Sequence, residues 1–169
     1  MPFTMILFLP QNVNQKKSML EGLKHAHSGL RWIVLFLIIY AIFSAYSGWK
    51  GKKEYTNTDK KVHLFSMIGL HIQVLIGLVL YFLNFGAKVN FSDMGEETGI
   101  IRFFTVEHLT AMLIAAVIFT IGYSKAKRLS DNEVKFKTIF IFYTIALVII
   151  FLAIPWPFSI WAKYGGGWG

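Results

Sequence analysis

The residues of this sequence that can do chemistry at neutral pH are its five histidines: His25, His27, His63, His71 and His108. All of them lie on or beside three long apolar runs. Neutral imidazole is the commonest protein ligand for a metal ion, serves as an axial ligand of haem iron, and can pass a proton. The chain has no cysteine, which excludes disulfides, iron–sulfur clusters, thiolate zinc sites and c-type haem attachment.

His71 lies near the middle of residues 62–85, a run without Asp, Glu, Lys or Arg. A run of this length matches the roughly 30 Å hydrocarbon core of a bilayer. An ionisable side chain at that depth is costly and is by default a functional candidate. The alternative is a structural imidazole that hydrogen-bonds to a neighbouring helix, which contributes less than about 1 kcal/mol.

His25 and His27 are two residues apart, about 200° around a helix, so only one of them can face the interior of a bundle. We favour His27, because Arg31 follows it by one turn on the same face and can pair with a haem propionate or an acidic partner. The alternative for Arg31 is snorkelling to the outer interface. His63, at the polar end of its run, is interpreted as an interface residue.

His108 follows Glu107, but adjacent helical side chains point about 100° apart, so the two are not a ready-made acid–base pair. Glu107 is interpreted as a charge partner of Arg31 or Arg102, or as a proton carrier. Arg102 is a second candidate to neutralise a propionate. One carboxylate cannot make a di-iron bundle site, which needs several Glu and paired Glu-x-x-His turns.

Two axial ligands of one haem must lie at nearly the same depth in the membrane. With the middle of each apolar run taken as the bilayer centre, His71 lies roughly 4 Å to the inner side. His108 lies roughly 8 Å and His27 about 18 Å to the outer side. Helix tilt can absorb several Å of mismatch. Met112 matches His71 in depth, although methionine on an apolar helix usually fills the core.

The elements that position these residues are predicted to be membrane helices. Hydrophobic residues make up 55 % of the 169-residue chain, which is typical of the membrane class. The predicted fold is an all-α, antiparallel four-helix membrane bundle in residues 19–158. A capping box at Ser18 and Glu21 predicts the start of the first helix. The predicted spans are 19–49, 62–85, 100–123 and 138–154. On the second span Gly69, Gln73 and Gly77 share one face, and this small and polar stripe predicts a close helix contact.

The chain outside this domain is short. Residues 1–18 are interpreted as an N-terminal extension or a short interfacial segment, and 159–169 as a flexible C-terminal tail. Residues 86–99 are predicted to form an acidic loop. No nucleotide-binding loop, HExxH motif or nucleophile elbow occurs, so hydrolase and ATPase activities are not expected.

The net charge of +8 is distributed as a membrane topology signal. Ten of the 17 Lys and Arg residues lie in segments 50–61 and 124–137. Positive residues favour the cytoplasmic side, so these segments are predicted to be cytoplasmic and both termini to lie outside the cytoplasm of a bacterial inner membrane. The basic residues do not form one stripe, so nucleic acid is not an expected partner.

Several motifs together resemble small bacterial four-span membrane proteins that are cytochrome b-like. They are HAHSGLRW (25–32), HIQVLIGLVLYF (71–82), RFFTVEHLTAM (102–112) and IPWPF (154–158). The resemblance covers residues 19–158. It implies haem b between transmembrane helices and electron exchange with quinones or a respiratory complex, with His27, His71 and His108 as the matching positions.

The leading functional prediction is a b-type haem protein or subunit that transfers electrons within the bilayer, rather than a stand-alone enzyme. His71 and His108 are the preferred ligands and His27 the third, with Arg31 and Arg102 neutralising the propionates. One alternative is a cofactor-free accessory subunit of a larger respiratory or transport complex in the lipid membrane. Another is a small transporter that passes a proton or copper along the histidines.

Overall fold

The structure is a computed structural model that describes residues 13–84 and 102–156. These residues form four α-helices and one π-helical segment, with no strand among them. The all-α prediction is therefore confirmed. The elements are α1 (Val13–Lys50), α2 (Asn57–Asn84), the π-helical segment (Phe103–Glu107), α3 (His108–Arg128) and α4 (Asn132–Ala153).

The helices pack antiparallel in a ring. Both α1 and α3 contact α2 and α4. Residues 51–56 and 129–131 join helices at one end, which we call the basic end. The Tyr55 and Phe136 rings meet there with centroids 4.9 Å apart, and Lys137 Nζ lies 5.6 Å from the ring centroid of Trp49. The two lysine-rich segments therefore lie together, as predicted, while their cytoplasmic location stays a prediction.

Each of the helices α1 to α4 is long and apolar enough to cross a membrane. Their outer faces expose large apolar side chains, among them Phe36, Leu75, Val117 and Leu152. Such a surface is suited to lipid tails and unsuited to water. The described chain is thus an integral-membrane bundle, with a core that includes Ile38, Ala45, Phe119, Phe136 and Tyr143.

The helix ends differ from the predicted ones. The helix start predicted from the capping box at Ser18 is wrong, because α1 already begins at Val13 and passes through Ser18 without interruption. A capping box lies instead at the start of α2. There Thr56 Oγ1 accepts a hydrogen bond from Asp59 N (3.3 Å), and Asp59 Oδ2 accepts one from Thr56 N (2.9 Å).

The second unpredicted helix start is that of α4. Asp131 caps it by accepting a hydrogen bond from Val134 N (2.8 Å). Helix α4 therefore begins at Asn132, six residues before the predicted start of this span. Polar helical turns therefore extend the membrane helices beyond their apolar runs. Helix α4 ends at Ala153, two residues before Pro155, close to the predicted end.

Some predictions fall elsewhere. The acidic loop 86–99, the first twelve residues and the tail 159–169 lie outside the described residues.

Candidate functional site

Two histidines meet at the end of the bundle opposite the basic end. His27 on α1 and His108 at the start of α3 have ring centroids 6.5 Å apart and ring planes at 78°. Two imidazoles that bind opposite sides of one metal ion, with bonds of about 2.0 Å, hold their centroids about 6 Å apart. We call His27 and His108 the imidazole pair. Its spacing fits two imidazoles on one metal ion and is also that of an ordinary edge-to-face ring contact.

The His108 ring is oriented by the end of α4. Its Nδ1 donates a hydrogen bond to the Ala153 carbonyl oxygen (2.8 Å), one of the last carbonyls of a helix, which lack partners within the helix itself. With the proton on Nδ1, the neutral ring presents its lone pair at Nε2. Backbone carbonyls orient metal-binding histidines in the same way.

A π-helical turn leads into His108. The His108 backbone N–H donates to the Phe103 carbonyl, five residues back. The rings of Phe103 and Phe104 lie with centroids 6.1 and 6.3 Å from that of His108. Short π-helical segments are rare and frequently mark functional sites. No pattern in the sequence predicted this one.

His27 rests on the small-residue face of α2. A Cβ atom added at Gly77 would lie 3.1 Å from His27 Cε1, and Gln73 Nε2 donates to the His27 carbonyl (2.7 Å). About two turns before Gly77 on α2, Gly69 faces Val34. The stripe of Gly69, Gln73 and Gly77 is therefore the close helix contact that its spacing predicts.

Buried polar atoms with spare hydrogen-bonding capacity lie at the same end. Within the described chain, His27 Nδ1, Gln73 Oε1 and Thr105 Oγ1 are buried without a hydrogen-bond partner. A buried polar atom left unsatisfied costs about 1–3 kcal/mol. The three atoms belong to α1, α2 and the π-helical segment.

Arg31 brings a positive charge beneath the imidazole pair. It is only 9 % exposed, it follows His27 by one helical turn, and its guanidinium carbon lies 5.6 Å from the Trp32 ring centroid. His25 is exposed. The prediction that His27 and Arg31 share the inward face of α1 is therefore confirmed.

Arg102 and Glu107 form a separate surface pair. Arg102 Nε lies 2.8 Å from Glu107 Oε1, with the side chains 56 % and 47 % exposed. An exposed pair of this kind contributes about 0–1 kcal/mol. The structure thus pairs Glu107 with Arg102, which was one of the two partners considered for it. Among the described contacts, neither side chain has a hydrogen bond or an ion pair with His27 or His108.

His71 lies apart from the imidazole pair. Its Nδ1 is 2.7 Å from a backbone carbonyl one turn back, and its Nε2 is 3.1 Å from Thr120 Oγ1 on α3. Thr120 follows His108 by about 18 Å along the helix, and follows Met112 by about 12 Å, at 1.5 Å per residue. The structure therefore brings His27, rather than His71, to His108.

His63 lies at the basic end and is fully buried. The Tyr55 hydroxyl is 2.9 Å from His63 Nδ1, and the Tyr143 hydroxyl donates to the His63 carbonyl (2.8 Å). The Phe136 ring packs against a third side of the His63 ring. The interpretation of His63 as an interface residue is wrong, because Tyr55 from the preceding loop folds over it. Phe136 and Tyr143, seven positions apart and so on one face of α4, are the sequence signal that could have indicated this pocket.

Among residues 13–84 and 102–156, no group of three or more His, Cys, Asp or Glu side chains is arranged to hold a metal ion. The imidazole pair contributes two such side chains, one from α1 and one from α3. Comparisons of the chain with protein-family models, curated proteins and solved structures gave no match.

Proposed function

We propose that this protein binds haem b between its helices and transfers electrons within the membrane, with His27 and His108 as the axial ligands. The observation that carries the proposal is the imidazole pair, at a centroid distance of 6.5 Å across the bundle. His71, preferred on sequence grounds, is replaced by His27 because the structure ties it to Thr120 instead.

The surrounding residues suit such a site. The Ala153 carbonyl fixes the ring of His108 and makes its Nε2 a better ligand. Gly77 leaves room for the ring of His27, and Gln73 holds the backbone beneath it. Arg31, buried on the same side, supplies the charge that pairs with a propionate.

When bound, haem supplies the one-electron redox chemistry, and the protein sets its potential through ligands, burial and nearby charge. Arg31 favours added negative charge at the site and therefore reduction. The resemblance to cytochrome b-like proteins adds a quinone or a respiratory complex as electron partner. The basic end is proposed to face the cytoplasm, with the imidazole pair towards the opposite side.

The test is the dithionite-reduced minus oxidised visible spectrum of the detergent-purified protein, expressed with ample haem. We expect a sharp α-band in wild type that is lost or changed in His27→Ala and His108→Ala. His71→Ala is the matched control, because it removes a half-buried, hydrogen-bonded histidine outside the pair. A wild-type protein without haem, or a band lost only in His71→Ala, would refute the ligand assignment.

A second candidate function is a cofactor-free accessory subunit of a larger membrane assembly. Three polar contacts between helices favour it, since each explains a polar residue without a cofactor: His108 with Ala153, Gln73 with His27, and His71 with Thr120. A folded wild-type protein without visible absorbance would support this alternative. It would also predict that His27→Ala and His108→Ala change thermal stability only.

A further inference from the structure

A polar cleft of about 210 Å³ lies at the basic end, well away from the imidazole pair. It is formed by the loop before α2, the first turns of α2 and α4, and the last turns of α3. The residues that matter for its chemistry are Tyr55, Asn57, Lys60, Tyr123, Lys127 and Lys135.

The cleft is strongly positive. It is lined by the side chains of Lys60, Lys127 and Lys135, and no Asp or Glu is found among the described residues that line it. Asp59, next to Lys60 in sequence, is already used by Thr56, whose backbone N and Oγ1 donate to its carboxylate at 2.9 and 2.6 Å. The lining of the cleft itself therefore carries three positive charges.

The floor of the cleft is rigid and uncharged. The Tyr55 ring packs against Phe136 and stacks on His63 with centroids 5.6 Å apart. Lys135 Nζ lies 5.4 Å from the centroid of the Tyr55 ring, which positions one ammonium group over it. Burial raises the pKa of the Tyr55 phenol, so it stays neutral and does not repel an anion.

A lipid-facing surface begins directly beside the cleft. Phe65 on α2 follows Lys60 by about 7.5 Å of helix, and Ile121 on α3 precedes Lys127 by about 9 Å. Both are exposed apolar side chains, and α2 and α3 are in contact. Apolar helix surface therefore lies within two turns of the lysines.

We propose that this cleft binds the phosphate group of an anionic phospholipid. Lysine is a frequent phosphate ligand, and basic pockets between membrane helices bind lipid headgroups. The N-terminus of α2 adds its partial positive charge, because Asn57, its first residue, lines the cleft. The adjoining apolar surface favours a lipid over free phosphate.

The experiment is native mass spectrometry of the full-length protein in detergent, titrated with phosphatidylglycerol, with phosphatidylcholine of the same acyl chains, and with inorganic phosphate. We expect the first phosphatidylglycerol to bind wild type at least about tenfold more tightly than phosphatidylcholine, since each lysine near a lipid surface adds about a factor of five. Equal binding of the two lipids would overturn the proposal. Tighter binding of inorganic phosphate than of phosphatidylglycerol would overturn the lipid assignment.

Variants locate the site. The triple substitution Lys60→Gln, Lys127→Gln and Lys135→Gln should abolish the preference for phosphatidylglycerol, while replacement of the same three residues by Arg should retain it. The matched control removes the same charge from exposed lysines of the same end that do not line the cleft: Lys53→Gln, Lys61→Gln and Lys125→Gln. A control that loses the preference as completely as the cleft variant would contradict the proposal, because it would show a diffuse charge effect.

Discussion

Gly77→Ala tests the contact between α2 and His27. A Cβ at this position would lie 3.1 Å from His27 Cε1 and 3.7 Å from Nδ1, so the ring must move by a few tenths of an ångström. The substitution gains about 1 kcal/mol of helix propensity but adds overpacking, which costs about 1–3 kcal/mol. We expect the protein to be no more stable than wild type, and the displaced ring to weaken haem retention or shift the α-band.

Gly69→Ala is the control for this substitution, on the same face of the same helix. Its Cβ would meet Val34 and Leu37 at 3.6 Å, an ordinary van der Waals contact. The helix-propensity gain should therefore be retained, at about 1 kcal/mol. For a chain of this size 1 kcal/mol corresponds to about 2–4 °C in Tm, and the two variants differ by the overpacking cost of about 1–3 kcal/mol, so Gly69→Ala should melt about 2–12 °C above Gly77→Ala.

Both variants are compared by thermal unfolding in one detergent, followed by circular dichroism, and by the reduced minus oxidised spectrum. If Gly77→Ala matches Gly69→Ala in Tm and in its spectrum, then the His27 ring is not seated on Gly77 and the argument for its position fails. A lower Tm with an unchanged spectrum would mean that His27 packs on α2 without serving as a ligand.

Three further predictions concern the basic end. Gly48→Ala should lower the free energy of unfolding by about 1–3 kcal/mol, because its Cβ would lie 2.5 Å from the buried Phe136 ring; thermal unfolding measures this. Tyr143→Phe should lower the free energy of unfolding by only about 0.5–1.5 kcal/mol in the same assay, because it removes one hydrogen bond to the His63 carbonyl. That carbonyl keeps a second hydrogen bond, from a serine hydroxyl, so a larger loss of stability would contradict this prediction. Tyr55→Phe should reduce the loss of stability at high pH, because burial raises the pKa of the Tyr55 phenol in the folded protein. The stability that the neutral phenol provides is complete below its ordinary pKa of about 10 and is lost as the pH rises through the folded-state value. Unfolding curves between pH 8 and about 11 compare the two proteins, and identical pH dependence would refute the role of Tyr55.

Much of the fold could be predicted because apolar run length and helical spacing are local properties of the sequence. The inward face of α1 followed from the separation of His27 and Arg31, and the α1–α2 contact from the spacing of Gly69, Gln73 and Gly77. Each of these inferences needs only the geometry of one helix. The structure confirms them through the burial of Arg31 and the Gln73 hydrogen bond.

The pairing of histidines could not be predicted in the same way. Depth was estimated from the middle of each apolar run, but α1 continues beyond its run at both ends, and residues 102–107 include a π-helical turn. The depth rule placed His27 and His108 about 10 Å apart in height, whereas their ring centroids lie 6.5 Å apart. The cover over His63 was missed for a related reason, since Tyr55 belongs to a loop whose path is set by tertiary contacts.

The π-helical turn before His108 also has a consequence for how the chain tolerates insertion and deletion. A π-turn holds one residue more than an α-turn, and that residue is accommodated within Phe103–Glu107 without altering the helix that follows. Deleting one residue there would restore a regular helix without rotating α3. His108 would keep its place on α3, while sequence neighbours of Phe103 and Arg102 would take the positions that these two residues now occupy beside His108 and Glu107. The side chains that pack beside the His108 ring can therefore change in evolution without a change in the position of His108 itself.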